Sequence, residues 1–495
     1  MGEGDPGMPA FKPPDAAPGT PPSWEPGIVE GQFRENALSA SLTDGTTPLK
    51  YSAFLAAASN NHQIAFQNAI KAIYAPTGAY NKVLDLEGAT VLLTGPVKAP
   101  TGDAASFGAR SIINGEIRAQ AGFSGGDYML NIMGEIPSHY LRLVNVTFNG
   151  QNKACWIRWD IGNMIIQTCQ FKNPKPGDTV ATIPGGLYCK DGGVGGSADA
   201  GFWIDNCWFS TDEGAKQPSS RMTIGILSET GDNKLGGLTT MSYFRHCFVS
   251  HGGTFMVNGL HVFQGVTTGG SGAAENMTDH TASIKVTGGR SRSIISNLYL
   301  GKSFLELSNE SNTTAEYIGQ IAITNMFAFM ENGQQDAAAH IVARNYAPSG
   351  TTTTVKNVSI TNSLFVNGGR EQTNPTKIFN PAGFDRDSYQ GIRLVDNNFD
   401  FGDVQPQANP VTLKKTFGSQ TTSHNIDYTD FLPFSGRPKQ VLAVVGNRTG
   451  GTHQALAQGK ISADTVDIET ASPWAGDITA TVTVNNPQSS GFLDG

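Results

Sequence analysis

Carboxylates near the middle of the chain are the residues whose type and spacing could support hydrolytic chemistry. The catalytic candidates are Asp160, Asp191, Asp205 and Glu229. Asp160, Asp191 and Glu229 each end a short apolar segment that reads as a strand. If these strands stack side by side, neighbouring carboxylates lie ~5 Å apart and next neighbours ~10 Å apart. Asp205 could join the group from a neighbouring sheet. Retaining glycosidases need two carboxyl groups ~5 Å apart and inverting ones ~6.5–9.5 Å. We therefore predict a glycosidase-like group; the alternative is that these side chains only bond turn amides.

Aromatic and basic residues around these carboxylates could hold a sugar chain. The substrate-binding candidates are Trp156, Trp159, Trp203, Tyr243, Arg245 and Lys190. Because side chains alternate along a strand, the pattern places Trp203 and Asp205 on the outer surface. Tyr243 and Arg245 occupy the equivalent outward positions in the next copy of the same strand pattern. Aromatic rings spaced by coils would follow a glycan; the alternative is that they pack beneath loops or at a subunit interface.

A lyase would use the same region differently. It needs a base that removes the proton beside a uronic carboxylate and a cation that neutralises that carboxylate. Lys190, Tyr243, Arg245 and His251 are the residues suited to these roles. The histidines are scattered without an HExxH motif, and no calcium-loop motif is present, so we expect neither a metal ion nor another cofactor.

The element that must position these residues is a repeated strand segment. Its copies are LRLVNVTF (141–148), MIIQTCQF (164–171), FWIDNCWF (202–209), SYFRHCFV (242–249), SIISNLYL (293–300), IAITNMFA (321–328), VSITNSLF (358–365) and IRLVDNNF (392–399). The third position is always large and apolar, as in Ile166, Ile204 and Phe244, and the fifth is Asn, Asp, Thr or His in all eight copies, residue types that favour tight turns. A second series of strands interleaves with the first and predicts two strands per coil; examples are ACWIRWD (154–160), GLYCKDG (186–192) and GLHVFQG (259–265).

The irregular spacing of the copies indicates the fold. A leucine-rich or ankyrin array keeps its period, whereas a parallel β-helix keeps its strands in register and lets its loops vary. We therefore predict an all-β fold, a right-handed parallel β-helix with an N-terminal capping helix and a short C-terminal β extension. The helix is predicted at residues 64–74, whose apolar stripe can cover the exposed first coil.

Composition and changes of pattern divide the chain and exclude some partners. We predict a Pro/Gly-rich arm at residues 1–36, a capping helix and entry strands at 37–100, the β-helix at 101–450 and a C-terminal extension at 451–495. The net charge of −8 at pH 7 argues against nucleic acid as a partner. Residues 1–27 contain no apolar run typical of a secretory signal or a transmembrane helix, so membrane insertion is not expected.

The helix, the strand pair VLDLEGATVLLTGPV (83–97) and the Asn-marked coils together resemble the pectate-lyase superfamily of right-handed parallel β-helices, and within it bacteriophage tailspikes. The resemblance spans roughly residues 37–450 and is architectural, because the catalytic motifs of pectinases and pectate lyases are not found. It implies a virion-tail protein that binds a bacterial surface polysaccharide at the host surface and, in the leading hypothesis, hydrolyses it. It also implies a homotrimer whose N-terminal arm attaches to other tail proteins. The alternatives are a non-catalytic receptor-binding or structural spike and a secreted polysaccharide lyase.

Overall fold

The computed structural model describes the chain in segments that follow its helices and strands. These segments are 47–75, 82–100, 108–132, 139–160, 162–176, 185–190, 201–211, 224–231, 233–242, 244, 246–251, 254–263, 282–287, 293–301, 303–308, 317–330, 339–344, 354–367, 378–380, 391–400, 407–429, 431–432, 440–448, 460–462 and 465–484. The predicted arm at 1–36 and three candidate site residues, Asp191, Tyr243 and Arg245, lie outside them.

Two helices precede the coils, α1 (Tyr51–Ala57) and α2 (His62–Tyr74). The side chain of Asn61 caps α2 by accepting a hydrogen bond of 3.1 Å from a backbone N–H in its first turn. The buried face of α2 consists of Ala65, Phe66, Ala69, Ile70, Ile73 and Tyr74. The helix predicted at 64–74 is thus confirmed, with two more residues at its start. The sequence does not predict α1, because only Tyr51 of its residues is fully buried and no apolar stripe results.

Helix α2 also protects the edge of the first coil. The Gln63 side chain accepts hydrogen bonds from the backbone N–H groups of Thr94 and Gly95, at 3.0 and 3.1 Å. The Gln67 side chain accepts from the Lys98 N–H at 3.1 Å and donates to the Lys98 carbonyl at 2.7 Å. These amide groups bond backbone atoms that a further strand would otherwise pair with, so the helix removes an exposed strand edge.

The coils consist of a 21-stranded and a ten-stranded parallel sheet. The 21-stranded sheet bends lengthwise into two faces, which we name A and B. Face A contains β1 (Leu49–Lys50), β2 (Lys82–Asp85), β9 (Asn163–Gln167), β12 (Gly201–Asp205), β15 (Asn233–Gly236), β18 (Phe255–Asn258), β21 (Ser293–Ser296), β24 (Tyr317–Thr324), β27 (Thr354–Thr361) and β30 (Arg393–Val395). Face B contains β3 (Thr90–Leu93), β10 (Gln170–Lys172), β13 (Trp208–Ser210), β16 (Thr240–Ser242), β19 (His261–Phe263), β22 (Tyr299–Gly301), β25 (Phe327–Met330), β28 (Leu364–Asn367) and β31 (Asn398–Asp400). Two long strands, β5 (Gly108–Ala119) and β7 (His139–Asn149), continue from face A to face B.

The ten-stranded sheet is face C. Its strands are β4 (Val97–Lys98), β6 (Tyr128–Ile132), β8 (Cys155–Trp159), β11 (Gly185–Cys189), β14 (Ile224–Ser228), β17 (His246–His251), β20 (Ile284–Thr287), β23 (Leu305–Ser308), β26 (Ile341–Arg344) and β29 (Phe379–Asn380). One coil therefore passes through faces A, B and C in turn.

A line of residues in the left-handed backbone conformation makes the bend between faces A and B. They are fifth positions of the repeat, among them Asn145 (φ 55°), Asn206 (φ 53°) and Asn297 (φ 51°), and Asn is one of the few residues that adopt this conformation readily. Each correctly assigned eight-residue copy therefore spans both faces, with one strand segment on each side of the bend. The prediction of two strands per coil is wrong for this reason, since the coil has three.

The third positions of the repeat form a continuous inward column on face A. Its buried members are Leu84, Ile112, Leu143, Ile166, Ile204, Leu235, Val257, Ile295, Ile323, Ile360 and Leu394. The copy SYFRHCFV (242–249) is wrongly assigned, because Phe244 lies outside this column and His246 begins a strand of face C. Leu235 and Val257 belong to the true copies, which the pattern misses because Gly237 and Gly259 replace Asn at the bend. GLHVFQG (259–265) accordingly carries a strand of face B.

An antiparallel sheet follows the coils. Its strands are β32 (Val411–Asp427), β33 (Gln440–Arg448), β34 (Lys460–Ser462) and β35 (Thr465–Thr483), in the order β32–β35–β33 with β34 beside β35. The sheet begins well before residue 451, where the sequence pattern predicts the C-terminal extension. Asn409 joins it to the last coil, donating to the Ile392 carbonyl at 2.6 Å and accepting from the Thr483 hydroxyl at 2.9 Å.

These elements confirm the predicted fold class, a right-handed parallel β-helix with an N-terminal capping helix and a C-terminal β extension. The core lies inside the coils, between the inward columns of faces A, B and C. Among the helices that the described segments contain, none is long and apolar enough to cross a membrane.

Candidate functional site

Asp160, Lys190 and Glu229 lie in one row along face C. They directly follow β8, β11 and β14, whose last residues are paired in register. The backbone N–H groups of Lys190 and Glu229 donate to the last strand carbonyl of the preceding coil, at 2.8 and 2.9 Å, so the ladder continues through the row. The predicted row of Asp160, Asp191 and Glu229 is therefore wrong by one residue, because Lys190 holds the middle position.

Two strand spacings separate Asp160 from Glu229. With ~4.8 Å between neighbouring parallel strands, their Cα atoms are ~9.6 Å apart. The carboxyl groups of inverting glycosidases are ~6.5–9.5 Å apart, whereas those of retaining enzymes are only ~5–5.5 Å apart. Both side chains are half-buried, and so are reachable from solvent. Because both side chains can lean along the row, Cα atoms this far apart allow a carboxyl separation in the inverting range, with room for a water molecule and a sugar.

Tyr188 connects this row to a second outward row of face C. Its hydroxyl donates a hydrogen bond of 2.7 Å to Glu229 Oε1, and the Arg158 guanidinium carbon lies 5.3 Å from the centre of its ring. Burial, together with the bond to Glu229, raises the pKa of Tyr188, so that the phenol remains a donor at neutral and alkaline pH. The bond from the phenol holds the Glu229 carboxylate in one orientation on the outer side of face C.

Three buried polar atoms beside this group have no hydrogen-bond partner within the described segments. They are Tyr128 Oη, Asn131 Oδ1 and Arg158 Nε. Asn131 and Arg158 are paired neighbours on face C, and the Tyr128 ring centre is 6.4 Å from that of Tyr188. A buried polar atom without a partner costs ~1–3 kcal/mol. A ligand rich in hydroxyl groups would satisfy these atoms, which marks the surface from Tyr128 to Glu229 as a candidate binding site.

A polar network fixes the turn that carries Glu229. Its neighbours Ser228 and Thr230 are buried, and the Asn233 amide donates to the Ser228 hydroxyl at 2.8 Å and to the Thr230 carbonyl at 2.7 Å. The Cys189 sulfur lies 3.0 Å from the Thr230 hydroxyl. These bonds restrict the backbone on both sides of Glu229, which is the positional precision that a catalytic group requires.

Trp156 and Trp159 are core residues, so the prediction that they bind sugar is wrong. Their exposed fractions are 0% and 1%. The Trp156 ring centre lies 5.1 Å from that of Phe171, and its Nε1–H donates to the Lys172 carbonyl at 3.0 Å. The Trp159 ring centre lies 6.2 Å from that of Phe202. Both rings fill the interior of the coils and have no face that a glycan could reach.

Trp203 lies on the outer side of face A, as strand alternation predicts, with the Lys234 ammonium 5.4 Å from its ring centre. Asp205 is only 3% exposed, because its carboxylate packs against the bend at Gly237, so the prediction of an open surface position is wrong. Asp205 also ends β12, ~13 Å along the strand from the corner where face C meets face A. The structure therefore does not bring Asp205 together with Asp160 and Glu229.

Strand alternation could have identified two of the residues that the sequence prediction leaves out. Tyr188 precedes Lys190 by two positions and Arg158 precedes Asp160 by two, so each pair points to the same side of its strand. Tyr128 carries no comparable signal, since it lies before the first copy of the repeat.

The buried cysteines contribute packing rather than chemistry. All five are free thiols. Burial raises the pKa of Cys155, Cys189 and Cys247 to about 12, so these groups are protonated and unreactive at neutral pH. In the part of the chain that the structure describes, no three His, Cys, Asp or Glu side chains are placed to hold a metal ion.

Comparison with known proteins gives matches in structure only. No protein-family model matches the chain, and no curated protein matches it. A double mutant of the tailspike of the E. coli bacteriophage HK620, solved with a pentasaccharide, is 12% identical over 85% of this chain and 89% of its own, with a TM-score of 0.37. The Dettilon tailspike is 10% identical over 91% of this chain and 100% of its own, with a TM-score of 0.41. The endo-xylogalacturonan hydrolase of Aspergillus tubingensis is 12% identical over 69% and 90%, with a TM-score of 0.38. At these identities the likeness concerns the fold alone.

The group on face C has the parts that general acid–base cleavage of a sugar chain requires. Asp160 and Glu229 provide two carboxyl groups at a spacing that leaves room for water, and Lys190 between them is a cation that can hold a sugar oxygen. Tyr128 and Arg158 add polar atoms that lack partners within the described segments.

Proposed function

We propose that this protein is a tailspike-like depolymerase that binds a bacterial surface polysaccharide across face C and cleaves it by hydrolysis. The observation that carries the proposal is the carboxylate pair Asp160 and Glu229, held two coils apart beside buried polar atoms that a sugar would satisfy. Trp203 extends the binding surface onto the outer side of face A.

In this proposal Glu229 is the general base and Asp160 the general acid. Glu229 takes a proton from a water molecule, whose oxygen attacks the anomeric carbon as the glycosidic C–O bond breaks. Asp160 gives its proton to the leaving oxygen, so the proton count of the two carboxyl groups is conserved. Lys190 orients the sugar between them. Attack from the side opposite to the leaving group inverts the anomeric configuration.

The decisive experiment measures polymer length. Capsular and lipopolysaccharide preparations are incubated with the protein and separated by size, with ultraviolet absorbance recorded. We expect shortened chains without new absorbance, and a loss of at least about a hundredfold in rate for Glu229→Gln or Asp160→Asn. Glu116→Gln is the matched control, because Glu116 is a half-buried carboxylate of β5 that bonds Arg118 at 2.8 Å, away from face C. Wild-type cleavage by both face C variants would overturn the assignment.

A lyase is the second candidate, and the position of Lys190 beside the outward pair of Arg158 and Tyr188 favours it. The Lys190 amine would take the proton beside a uronic carboxylate, and the Arg158 guanidinium would neutralise that carboxylate. Shortened chains with new ultraviolet absorbance would establish this alternative. Unchanged polymers over a broad panel, with binding retained, would identify a non-catalytic receptor-binding spike.

The same proposal places the protein in a virion tail, as a homotrimer whose N-terminal arm contacts other tail proteins. The C-terminal sheet supports the trimer, because Leu442 and Val445 on its edge strand β33 are 48% and 61% exposed, and apolar side chains on a sheet edge favour contact between chains. Analytical ultracentrifugation tests this. We expect a trimer for the natural chain and a smaller species for Leu442→Lys combined with Val445→Lys; a natural chain that sediments as a monomer would contradict the assembly.

A further inference from the structure

Face B carries an outward row of mostly aromatic side chains on successive coils. The paired members of the row are Trp208, Thr240, His261, Tyr299 and Phe327. Tyr299 and Phe327 stack with ring centres 5.2 Å apart, and His261 meets Tyr299 at 4.3 Å. Among these five positions Thr240 alone has no ring, so the row is interrupted at one coil.

Thr240 leaves a gap between Trp208 and His261. With ~4.8 Å per coil, the Cα atoms of these two residues are ~9.6 Å apart. A molecule that contacts both walls lies ~3.5–4.0 Å from the heavy atoms of each wall. These two contacts take up ~7–8 Å of the spacing, and the remainder matches the thickness of a single sugar ring. Its floor is the half-buried Thr240 side chain, which presents a methyl group and a hydroxyl.

The wall formed by Trp208 is suited to stacking. Trp208 is 43% exposed, the most exposed of the tryptophans that the structure describes. The Lys172 ammonium, from the preceding coil, lies 5.4 Å from its ring centre. Lys172 thus occupies the side of the indole that faces the preceding coil, and the opposite side faces the gap above Thr240.

The wall formed by His261 is suited to hydrogen bonding. The His261 ring stands at 84° to that of Tyr299, whereas Tyr299 and Phe327 are within 8° of parallel and stack along the row. This angle turns an edge of the imidazole, rather than its face, toward the gap. Burial lowers the pKa of His261, so the ring is neutral near pH 7 and offers both a donor and an acceptor nitrogen.

We propose that the gap formed by Trp208, Thr240 and His261 is a second glycan-binding site that takes one pyranose ring. The C–H face of the sugar stacks on the Trp208 indole, and its hydroxyls bond the Thr240 hydroxyl and the His261 edge. The site lies on face B, apart from Asp160 and Glu229 on face C, so it holds the polymer without taking part in cleavage. This inference rests on the proposed function in one respect, that the ligand is a surface polysaccharide.

Thr240→Phe tests the site by filling the gap with a ring, and Thr240→Ser is the matched control that keeps the hydroxyl and the space. The probes are purified capsular polysaccharides and lipopolysaccharides on an array, followed by titration of the one that the natural chain binds. Acrylamide quenching of tryptophan fluorescence is the readout, because Trp208 is the most exposed of the described tryptophans. Its share of the signal is the difference between each chain and the same chain carrying Trp208→Ala. For the natural chain and Thr240→Ser we expect the polysaccharide to shield Trp208. For Thr240→Phe we expect about tenfold weaker binding and no shielding.

Trp208→Ala is the second variant, with the same expected loss of affinity, and circular dichroism checks that each variant is folded. Equal affinity of Thr240→Phe and the natural chain would overturn the site while leaving the proposed cleavage intact. A changed oligomeric state with unchanged affinity would overturn it as well, by showing that the row is a subunit contact. Binding of no polysaccharide by the natural chain would instead defeat the proposed function, and this inference with it.

Discussion

The hydrogen bond from Tyr188 to Glu229 allows a test that removes a single oxygen atom. Tyr188→Phe keeps the ring and its contact with Arg158 at 5.3 Å, but it removes the 2.7 Å bond to Glu229. Tyr128→Phe is the matched control. The Tyr128 ring lies 6.4 Å from that of Tyr188, and its hydroxyl has no hydrogen-bond partner within the described segments.

The two variants are expected to change the free energy of unfolding in opposite directions. A hydrogen bond to a charged acceptor contributes ~1.5–3 kcal/mol, and the lower end applies because water can reach the half-buried Glu229. Tyr188→Phe should therefore lower the free energy of unfolding by ~1.5 kcal/mol. Tyr128→Phe removes a buried hydroxyl whose desolvation is uncompensated, so it should raise the free energy of unfolding by ~1 kcal/mol.

Urea unfolding followed by circular dichroism measures both effects, and polymer cleavage measures the functional one. If the Tyr188 bond also orients Glu229 in the transition state, ~1.5 kcal/mol corresponds to about a tenfold lower kcat for Tyr188→Phe. Tyr128→Phe should raise KM with little change in kcat, because its hydroxyl is proposed to bind sugar. Equal destabilisation of both variants would contradict the roles assigned to these two hydroxyls, and so would a Tyr188→Phe variant with the stability and rate of the natural chain.

Three further predictions concern the coils. Asn297→Ala should lower the free energy of unfolding by ~1–2 kcal/mol and Asn297→Gly by less, because Asn297 has φ 51°, which glycine tolerates and alanine does not. Both variants also lose the 2.7 Å bond that Asn297 donates to Asn258 Oδ1 on the preceding coil. Equal losses in urea unfolding would contradict the role of positive φ at the bend. Phe171→Ala should lower the free energy of unfolding by ~3–5 kcal/mol, because the Phe171 ring stacks between those of Phe209 and Phe148, with ring centres 4.6 and 5.3 Å away. A decrease below ~1 kcal/mol in urea unfolding would show that the stack is not tightly packed. Burial raises the pKa of Cys155, Cys189 and Cys247 from 9.0 to about 12, so the stability that these protonated thiols contribute is complete below pH 9 and is lost as pH rises toward 12. Replacing all three by Ala should flatten the fall of the urea midpoint above pH 9, and an unchanged fall would disprove this linkage.

Much of the fold could be predicted because the repeat combines two physical requirements. The inward column needs a large apolar side chain, as in Ile166, and the bend needs a residue that tolerates positive φ, as in Asn206. The third strand of each coil was not evident, since an alternating pattern continues across the bend and does not show that the chain changes direction. Two copies of the repeat were not recognised because Gly237 and Gly259 stand at their bends. Glycine adopts positive φ as readily as Asn does, but it does not match the Asn-marked sequence pattern.

Less of the site could be predicted, because its geometry depends on single-residue register. Asp160 and Glu229 are identified as strand ends, but their alignment with Lys190 rather than Asp191 follows from where β11 ends. Burial of Trp156 could not be inferred from alternation, since the first three residues of β8 are all buried and the strict inward–outward pattern fails there. The partners of Tyr188 lie on neighbouring coils. Because the number of residues per coil varies, the sequence does not show which residues of those coils meet Tyr188.

The configuration of the first product is the sharpest test of whether Asp160 and Glu229 act as a hydrolytic pair. Proton NMR of the new reducing end, recorded before mutarotation, reports both the anomeric configuration and any unsaturated sugar. Because Asp160 and Glu229 are two coils apart, ~9.6 Å between Cα atoms, we predict a saturated product with inverted configuration that Glu229→Gln does not form. Retention of configuration would indicate two carboxyl groups only ~5 Å apart, and an unsaturated product would indicate a lyase. Either result would contradict the assignment of Asp160 and Glu229 as the hydrolytic pair.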